Sequence, residues 1–99
     1  MVLAIMHSRV VGFEISISAR GDGTLEAVYI RVNEGKVSKT VEVVTDVVLA
    51  DYSASNKLIG MEILAPVKLS KITGLVDRSR RLSFKKAVKS AAPPRLVLA

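Results

Sequence analysis

The sequence predicts an α+β fold, in which an antiparallel β-meander of about five strands has a C-terminal helical segment packed on one face. Between residues 13 and 64, apolar and polar side chains alternate in short runs separated by turn residues, which is typical of strands with one buried face. After Pro66 the apolar residues recur every three to four positions, which is typical of helices. We therefore predict a single small domain over residues 1–99, with a β-sheet core in 1–64 and a basic helical tail in 65–99.

The first strand pair is predicted around a glycine-containing turn. The run Phe13 to Ala19 alternates apolar and polar residues, and Leu25 to Val32 follows it after Arg20-Gly21-Asp22-Gly23-Thr24. Glycine adopts positive φ easily, so this short link suits a hairpin and the two runs are expected to pair antiparallel. The preceding segment, Val2 to Met6, is either an earlier strand or a frayed end.

Two valine-rich strands are predicted next. The turn Asn33-Glu34-Gly35-Lys36 leads into Val37 to Val44, in which the three valines at 37, 41 and 43 share one face. After a short link, Val47 to Tyr52 is apolar on both faces for four residues. A strand with two apolar faces is usually covered on both sides, so we expect this strand to lie centrally in the sheet.

The last strand of the core is predicted over Leu58 to Leu64. Alternation places Ile59, Met61 and Ile63 on one face, with Gly60 and Glu62 on the other. A glycine inside a strand indicates a β-bulge or the close approach of another part of the chain, and we expect one of these at Gly60.

The tail is predicted to form a helical turn or two, interrupted near Gly74, and then a longer helix over 78–91. Asp77 is the expected N-cap of the longer helix, and Pro93-Pro94 its stop. Its apolar stripe consists of Phe84, Ala87, Val88 and Ala91. The final run, Leu96 to Leu98, is expected to add a short edge strand to the parent sheet or to that of a partner.

The net charge of +6 is concentrated in the tail. Residues 65–99 carry nine basic side chains against one acidic side chain, whereas residues 1–64 carry six against eight. A basic segment on a mildly acidic body suits an anionic partner, and the alternative is a solvated helix face that keeps the protein soluble. If the tail binds nucleic acid, it does so without sequence preference, because it contains no Asn or Gln to read base edges. The candidate nucleic-acid-binding residues are Arg78, Lys85, Lys86 and Lys89.

Residue types exclude several kinds of chemistry. The chain has no cysteine, which rules out disulfides and thiolate metal sites and favours a cytoplasmic location. With His7 as the one histidine, a histidine-based metal cluster is also ruled out. The apolar start is too short and lacks the basic leader of a signal peptide, and no run reaches the length of a membrane span. We therefore expect no metal, no cofactor, no membrane association and no evident small-molecule substrate.

The one candidate polar site consists of residues in neighbouring predicted strands. Asp51 ends one strand and Glu62 lies in the next, so a hairpin could bring the two carboxylates to the same face, where they could share a proton or hold a hard cation. The alternative is that they cap turns or pair with Arg31, which could instead pair across strands with Glu42. Tyr29 completes the candidate site, either as an exposed stacking surface or with its ring filling a small core.

Four stretches in this order resemble a family of small bacterial proteins. They are Glu26-Ala27-Val28-Tyr29-Ile30-Arg31-Val32, Glu42-Val43, Val48-Leu49-Ala50-Asp51-Tyr52 and Leu58-Ile59-Gly60-Met61-Glu62-Ile63-Leu64. The family is catalogued as domain of unknown function 2283, and the resemblance covers residues 22 to 69. Two departures are Ser53, where the family has an acid, and Ser55-Asn56, where it has a glycine turn.

The resemblance implies a small β-rich domain without an assigned reaction. Some relatives are similar to members of two-gene modules of toxin and antitoxin type, which implies a protein partner. Our first hypothesis is a non-enzymatic interaction module, present as a homodimer or bound to a small protein partner, since exposed sheet edges need covering. The second is a non-specific nucleic-acid-binding protein that uses the basic tail, and an enzyme is the third.

Overall fold

The computed structural model describes residues 2–22 and 24–99, so the predicted turn residue Gly23 lies outside the described residues. Its main element is a six-stranded antiparallel sheet in the order β1-β2-β3-β6-β5-β4. The strands are β1 (Val2–Val10), β2 (Phe13–Arg20), β3 (Leu25–Arg31), β4 (Lys39–Val44), β5 (Val48–Tyr52) and β6 (Leu58–Ile63). Helices follow the sheet in the chain, which confirms the predicted α+β class, and the strand that begins at Val2 adds one to the expected five.

The strand order differs from a continuous meander. β1 to β3 form one meander and β4 to β6 form a second, and the two join where β3 pairs antiparallel with β6. After β3 the chain therefore crosses to the far edge of the sheet before it begins β4. Three strand spacings amount to about 14 Å, and the seven residues between Arg31 and Lys39 span that distance easily when extended. The tight turn predicted at Asn33 to Lys36 is therefore part of a loop that crosses the sheet.

Helical segments cover one face of the sheet. They are α1 (Leu69–Thr73), a 3₁₀ turn (Arg78–Arg80) and α2 (Arg81–Ala91). Phe84 of α2 packs edge-to-face on Phe13 of β2, with ring centroids 5.5 Å apart. The fully buried side chains that the sheet and the helical segments contribute to the core include Ile15, Val28, Ile30, Val48, Met61, Ile63, Ile72 and Ala87. Among the described helices, none is long and apolar enough to span a bilayer.

The helix predicted over 78–91 is divided into two elements. Its first turn is the 3₁₀ turn, and α2 begins at Arg81. Asp77 occupies the N-cap position of the 3₁₀ turn, but its side chain makes no capping hydrogen bond, so the predicted cap is wrong. The C-terminal stop is confirmed, since Ala92 is extended directly before the two prolines.

Two strand predictions need correction, and a third gains a residue. β5 lies second from the edge, and Leu49, on the face away from the helices, is only half-buried. The last strand, β8 (Val97–Leu98), pairs in parallel with a short β7 (Val67–Lys68) in a separate two-stranded sheet. Finally, Leu58 as well as Ile59 is buried, and Leu58 joins Met61 and Ile63 in the core. The reason is an irregularity in the β5–β6 register, where Asp51 pairs with Gly60 but Tyr52 pairs with Leu58.

Candidate functional site

A row of mostly polar residues crosses the face of the sheet that the helices leave open, with one residue on each strand. Strand pairing sets this row, because directly opposed residues point to the same face. From β1 to β4 the row runs Arg9, Glu14, Arg31, Gly60, Asp51 and Thr40. Positive and negative side chains alternate along the first three strands, where Arg9 Nη2 lies 3.1 Å from Glu14 Oε2. Glycine occupies the centre of the row, between Arg31 and Asp51.

The carboxylate of Asp51 is held by two hydroxyl groups. Tyr29 Oη donates a hydrogen bond to Asp51 Oδ2 at 2.9 Å, and Thr40 Oγ1 donates one to Asp51 Oδ1 at 2.6 Å. Tyr29 belongs to β3 and Asp51 to β5, so the tyrosine side chain reaches across the intervening strand β6. This network fixes the side chains of three strands relative to one another.

Gly60 of β6 leaves the space that the tyrosine crosses. A Cβ atom at this position would overlap Tyr29 Oη and would lie 2.8 Å from the carbonyl oxygen of Ile30. Both parts of the sequence prediction for Gly60 are therefore confirmed: neighbouring groups approach it closely, and it lies at the register irregularity of β6. The close approach is chiefly that of an aromatic side chain, an arrangement known to stabilise glycines in sheets.

The pKa of Tyr29 is raised to about 12. Burial is the largest cause, followed by the hydrogen bond to Asp51 and the negative charge of that residue, while the nearby Arg31 opposes the shift. Tyr29 is therefore a neutral hydrogen-bond donor at physiological pH and is poorly suited to act as a general base. The arrangement favours a structural role for this hydroxyl group.

Glu62 lies on the same open face as Asp51, as the hairpin prediction required. Glu62 pairs with Tyr29 on one side and with Leu49 on the other, so it is offset by two residues from the position opposite Asp51. The two residues are thus diagonal neighbours, and the described hydrogen bonds of the Asp51 carboxylate come from Tyr29 and Thr40, not from Glu62. Within residues 2–22 and 24–99, no group of three or more His, Asp or Glu side chains could hold a metal ion.

Arg31 does not form the ion pair with Glu42 that was considered from the sequence. The strands β6 and β5 separate the two residues, and Glu42 Oε2 instead accepts a hydrogen bond from the backbone N–H of Asp46 at 3.2 Å. In the described part of the chain, the guanidinium of Arg31 has neither a hydrogen bond nor an ion pair, although its side chain is half-buried. Arg31 is thus a partly desolvated cation on the open face.

The basic residues predicted to bind nucleic acid lie on a different surface. Arg78 belongs to the 3₁₀ turn and Lys85, Lys86 and Lys89 to α2, and all four side chains are exposed. Phe84 and Val88 bury the opposite side of α2 against the sheet, as the apolar stripe predicted. None of the four cations forms an ion pair with the residues that the structure describes. These four residues are called the tail cations below.

Arg80 and Arg81 have structural contacts that the spacing of charges did not reveal. Arg80 Nη1 donates to the carbonyl oxygen of Val32 at 2.8 Å and to Asn33 Oδ1 at 2.9 Å, and its guanidinium lies 4.4 Å from the ring centroid of Phe13. Arg81 Nε donates to the carbonyl oxygen of Val76 at 2.8 Å. In the sequence, these two residues cannot be distinguished from Arg78, since only tertiary contacts separate their roles.

Comparison with known proteins bears on the sheet alone. No curated protein and no solved structure matches the chain. Residues 22–65 match a family described as protein of unknown function (DUF2283). The matched segment contains β3 to β6 and therefore Tyr29, Arg31, Asp51 and Glu62, but it excludes β1, β2 and the helices. Over these four central strands the chain is similar to that family, as the sequence motifs indicated.

Proposed function

We propose that this protein is a cytoplasmic, non-enzymatic interaction module that adds the strand of a partner protein to the edge strand β4, and that its first partner is a second copy of itself. One observation carries the proposal. Val41 of β4 is 40% exposed, although Ala50, the residue opposite it on β5, is fully buried in the core. An apolar side chain on the core side of an edge strand invites cover from another chain.

The surroundings of Val41 support this proposal. Among the described strands, β4 pairs only with β5, so the outward backbone groups of β4 have no strand partner. Val37, which precedes β4, is also exposed, at 42%. A shallow depression of about 380 Å³ next to Val41 is lined by Lys39, Tyr52 and Asn56. Antiparallel pairing of two β4 strands about a twofold axis would give one continuous sheet and bring the two copies of Val41 together.

The oligomeric state of matched variants tests the proposal. Val41→Lys places a charge at the edge, which opposes strand addition. Val11→Lys is the matched control, because Val11 is 62% exposed and lies in the β1–β2 turn, away from β4. By light scattering after size exclusion, the wild type and Val11→Lys are expected to be dimers and Val41→Lys a monomer. A wild type that is monomeric at all concentrations, or equal dissociation of both variants, would overturn the homodimer.

If the partner is instead a small protein, such as a member of a toxin and antitoxin pair, we expect a different result with the same three proteins. The wild type and Val11→Lys would then retain that partner on capture from the native lysate, whereas Val41→Lys would lose it. If Val41→Lys retained the partner, the β4 edge would not be the docking site.

Non-specific nucleic-acid binding is the second candidate, because the tail cations are exposed and form no ion pair with the described residues, and no acidic residue follows Asp77. The test is fluorescence anisotropy with a labelled DNA duplex between about 50 and 200 mM salt. Replacing Lys85, Lys86 and Lys89 with Gln is expected to weaken binding and to reduce the salt slope by about 2.7. Replacing Lys36, Lys39 and Lys57 with Gln removes the same charge elsewhere. Equal effects of the two triple variants would rule out the tail as the binding surface.

A further inference from the structure

A polar cleft of about 350 Å³ lies at one end of the sheet and brings three arginines together. It is bordered by the β1–β2 turn at Gly12, by the end of β3, and by the 3₁₀ turn. Arg9, Arg31 and Arg80 line it together with Glu14 and Glu34. We propose that this cleft binds the phosphate group of a small phosphate monoester. No residue of β4 and none of the tail cations lines the cleft, so the proposal is independent of the functions above.

The balance of charges in the cleft favours a dianion. Glu14 is already paired with Arg9 at 3.1 Å, so these two charges largely offset each other. Glu34 is exposed, and solvent screens its charge. The guanidiniums of Arg31 and Arg80 remain, and both are half-buried. Two guanidiniums without an ion pair among the described residues, opposed only by the screened carboxylate of Glu34, suit the phosphate of a monoester, which carries a charge of about −1.5 to −2 at neutral pH.

Arg80 is held in place before any ligand binds. Its Nη1 atom donates both described hydrogen bonds, to Val32 and Asn33, and its Cζ atom lies 4.4 Å from the ring centroid of Phe13. The Nε and Nη2 atoms make no hydrogen bond with the described residues. A fixed guanidinium with donors to spare binds phosphate oxygens with little loss of side-chain entropy. Arg80 would thus act as the rigid side of the cleft.

Arg31 supplies the second cation. It lies between Glu14 and Gly60 in the row across the open face, and the glycine contributes no side chain that could partner it. A half-buried guanidinium without a described partner is costly in the free protein, because burial removes part of its hydration. An oxyanion in the cleft would restore the missing hydrogen bonds. Arg31 is therefore the residue on which phosphate binding should depend most.

The test is a titration of the full-length protein with inorganic phosphate and then with glycerol phosphate, at constant ionic strength, followed by the backbone amide resonances of Gly12 and Asn33. Arg31→Gln is expected to weaken binding about tenfold or more, since it removes charge-assisted hydrogen bonds. Arg78→Gln is the matched control, because Arg78 is exposed and does not line the cleft. This control is expected to bind like the wild type.

Arg31→Lys keeps the charge but loses the planar fork, so it is expected to bind less tightly than the wild type and more tightly than Arg31→Gln. This variant also provides the test if Arg31→Gln fails to fold. Equal weakening by Arg31→Gln and Arg78→Gln would show a bulk charge effect and overturn the proposal. The absence of saturable shifts at Gly12 and Asn33 would overturn it as well. So would binding of a 5′-phosphorylated oligonucleotide, but not of glycerol phosphate, since the ligand would then not be a small monoester.

Discussion

Gly60→Ala is expected to destabilise the protein by about 2–4 kcal/mol, because the added methyl group occupies the space that Tyr29 crosses. The new Cβ would overlap Tyr29 Oη and lie 2.6 Å from Cζ of the same ring. It would also lie 2.8 Å from the carbonyl oxygen of Ile30, which the β-sheet holds in place. The tyrosine side chain must therefore move, and its hydrogen bond to Asp51 is lost.

The magnitude follows from two costs and one gain. Overpacking at a site with fixed neighbours costs about 1–3 kcal/mol. Loss of a hydrogen bond to a charged group costs about 1.5–3 kcal/mol, and this is reduced here because Thr40 still binds Asp51 and water can reach the half-buried carboxylate. Replacement of glycine by alanine recovers up to about 1 kcal/mol of chain entropy.

Urea unfolding of a double-mutant cycle measures the effect. Tyr29→Phe removes the hydroxyl group, which is both the hydrogen-bond donor and the atom closest to the added Cβ. We therefore expect Gly60→Ala to cost less in the Tyr29→Phe background, with a coupling energy of at least about 1 kcal/mol. The reasoning would be refuted if Gly60→Ala alone changed the unfolding free energy by less than about 0.5 kcal/mol, or if the two substitutions were additive.

Two further predictions concern single side chains. The pKa of Tyr29 is raised in the folded protein from 10.0 to about 12, so its contribution to stability is fully present below pH 10 and is lost as the pH rises through about 12. Unfolding at a series of pH values measures this loss. In the Asp51→Asn variant, the pKa of Tyr29, followed by absorbance, is expected to move back toward its usual value. An unchanged pKa would contradict the role of Asp51. Arg80→Lys is expected to cost about 2 kcal/mol through loss of the planar contacts with Phe13 and with the backbone. The exposed neighbour Arg78→Lys is the control, expected to change stability by less than about 0.5 kcal/mol, and equal effects in urea unfolding would show that Arg80 is not an anchor.

Local pattern in the sequence predicted which segments form strands, but not how the strands are ordered. Alternation between polar and apolar residues depends on near neighbours, so the segments that became β2, β3, β4, β5 and β6 were found. The pairing of Val28 with Ile63 joins residues far apart in the chain, and no local signal shows that β6 rather than β4 lies next to β3. The irregularity at Gly60 was expected, yet its effect of placing Leu58 opposite Tyr52 and in the core could not be derived from spacing alone.

The candidate polar site was predicted only in part, because the sequence shows local pairing but not long-range pairing. Asp51 and Glu62 lie in strands joined by a short turn, so their common face followed from the alternation within one hairpin. Tyr29 joins Asp51 only because β3 lies on the other side of β6, which depends on the long-range pairing. Arg80 remained undetected as an anchor because its contacts with Phe13 and Val32 form only when the 3₁₀ turn packs against the sheet.

The most direct test of the proposed function is hydrogen exchange of the β4 amides, Lys39–Val44, measured at several protein concentrations. Strand addition at this edge predicts that protection in β4 rises with concentration, while protection of the opposite edge strand β1 stays constant. Protection that rises in β1 instead, or that does not depend on concentration in either strand, would contradict self-association through β4.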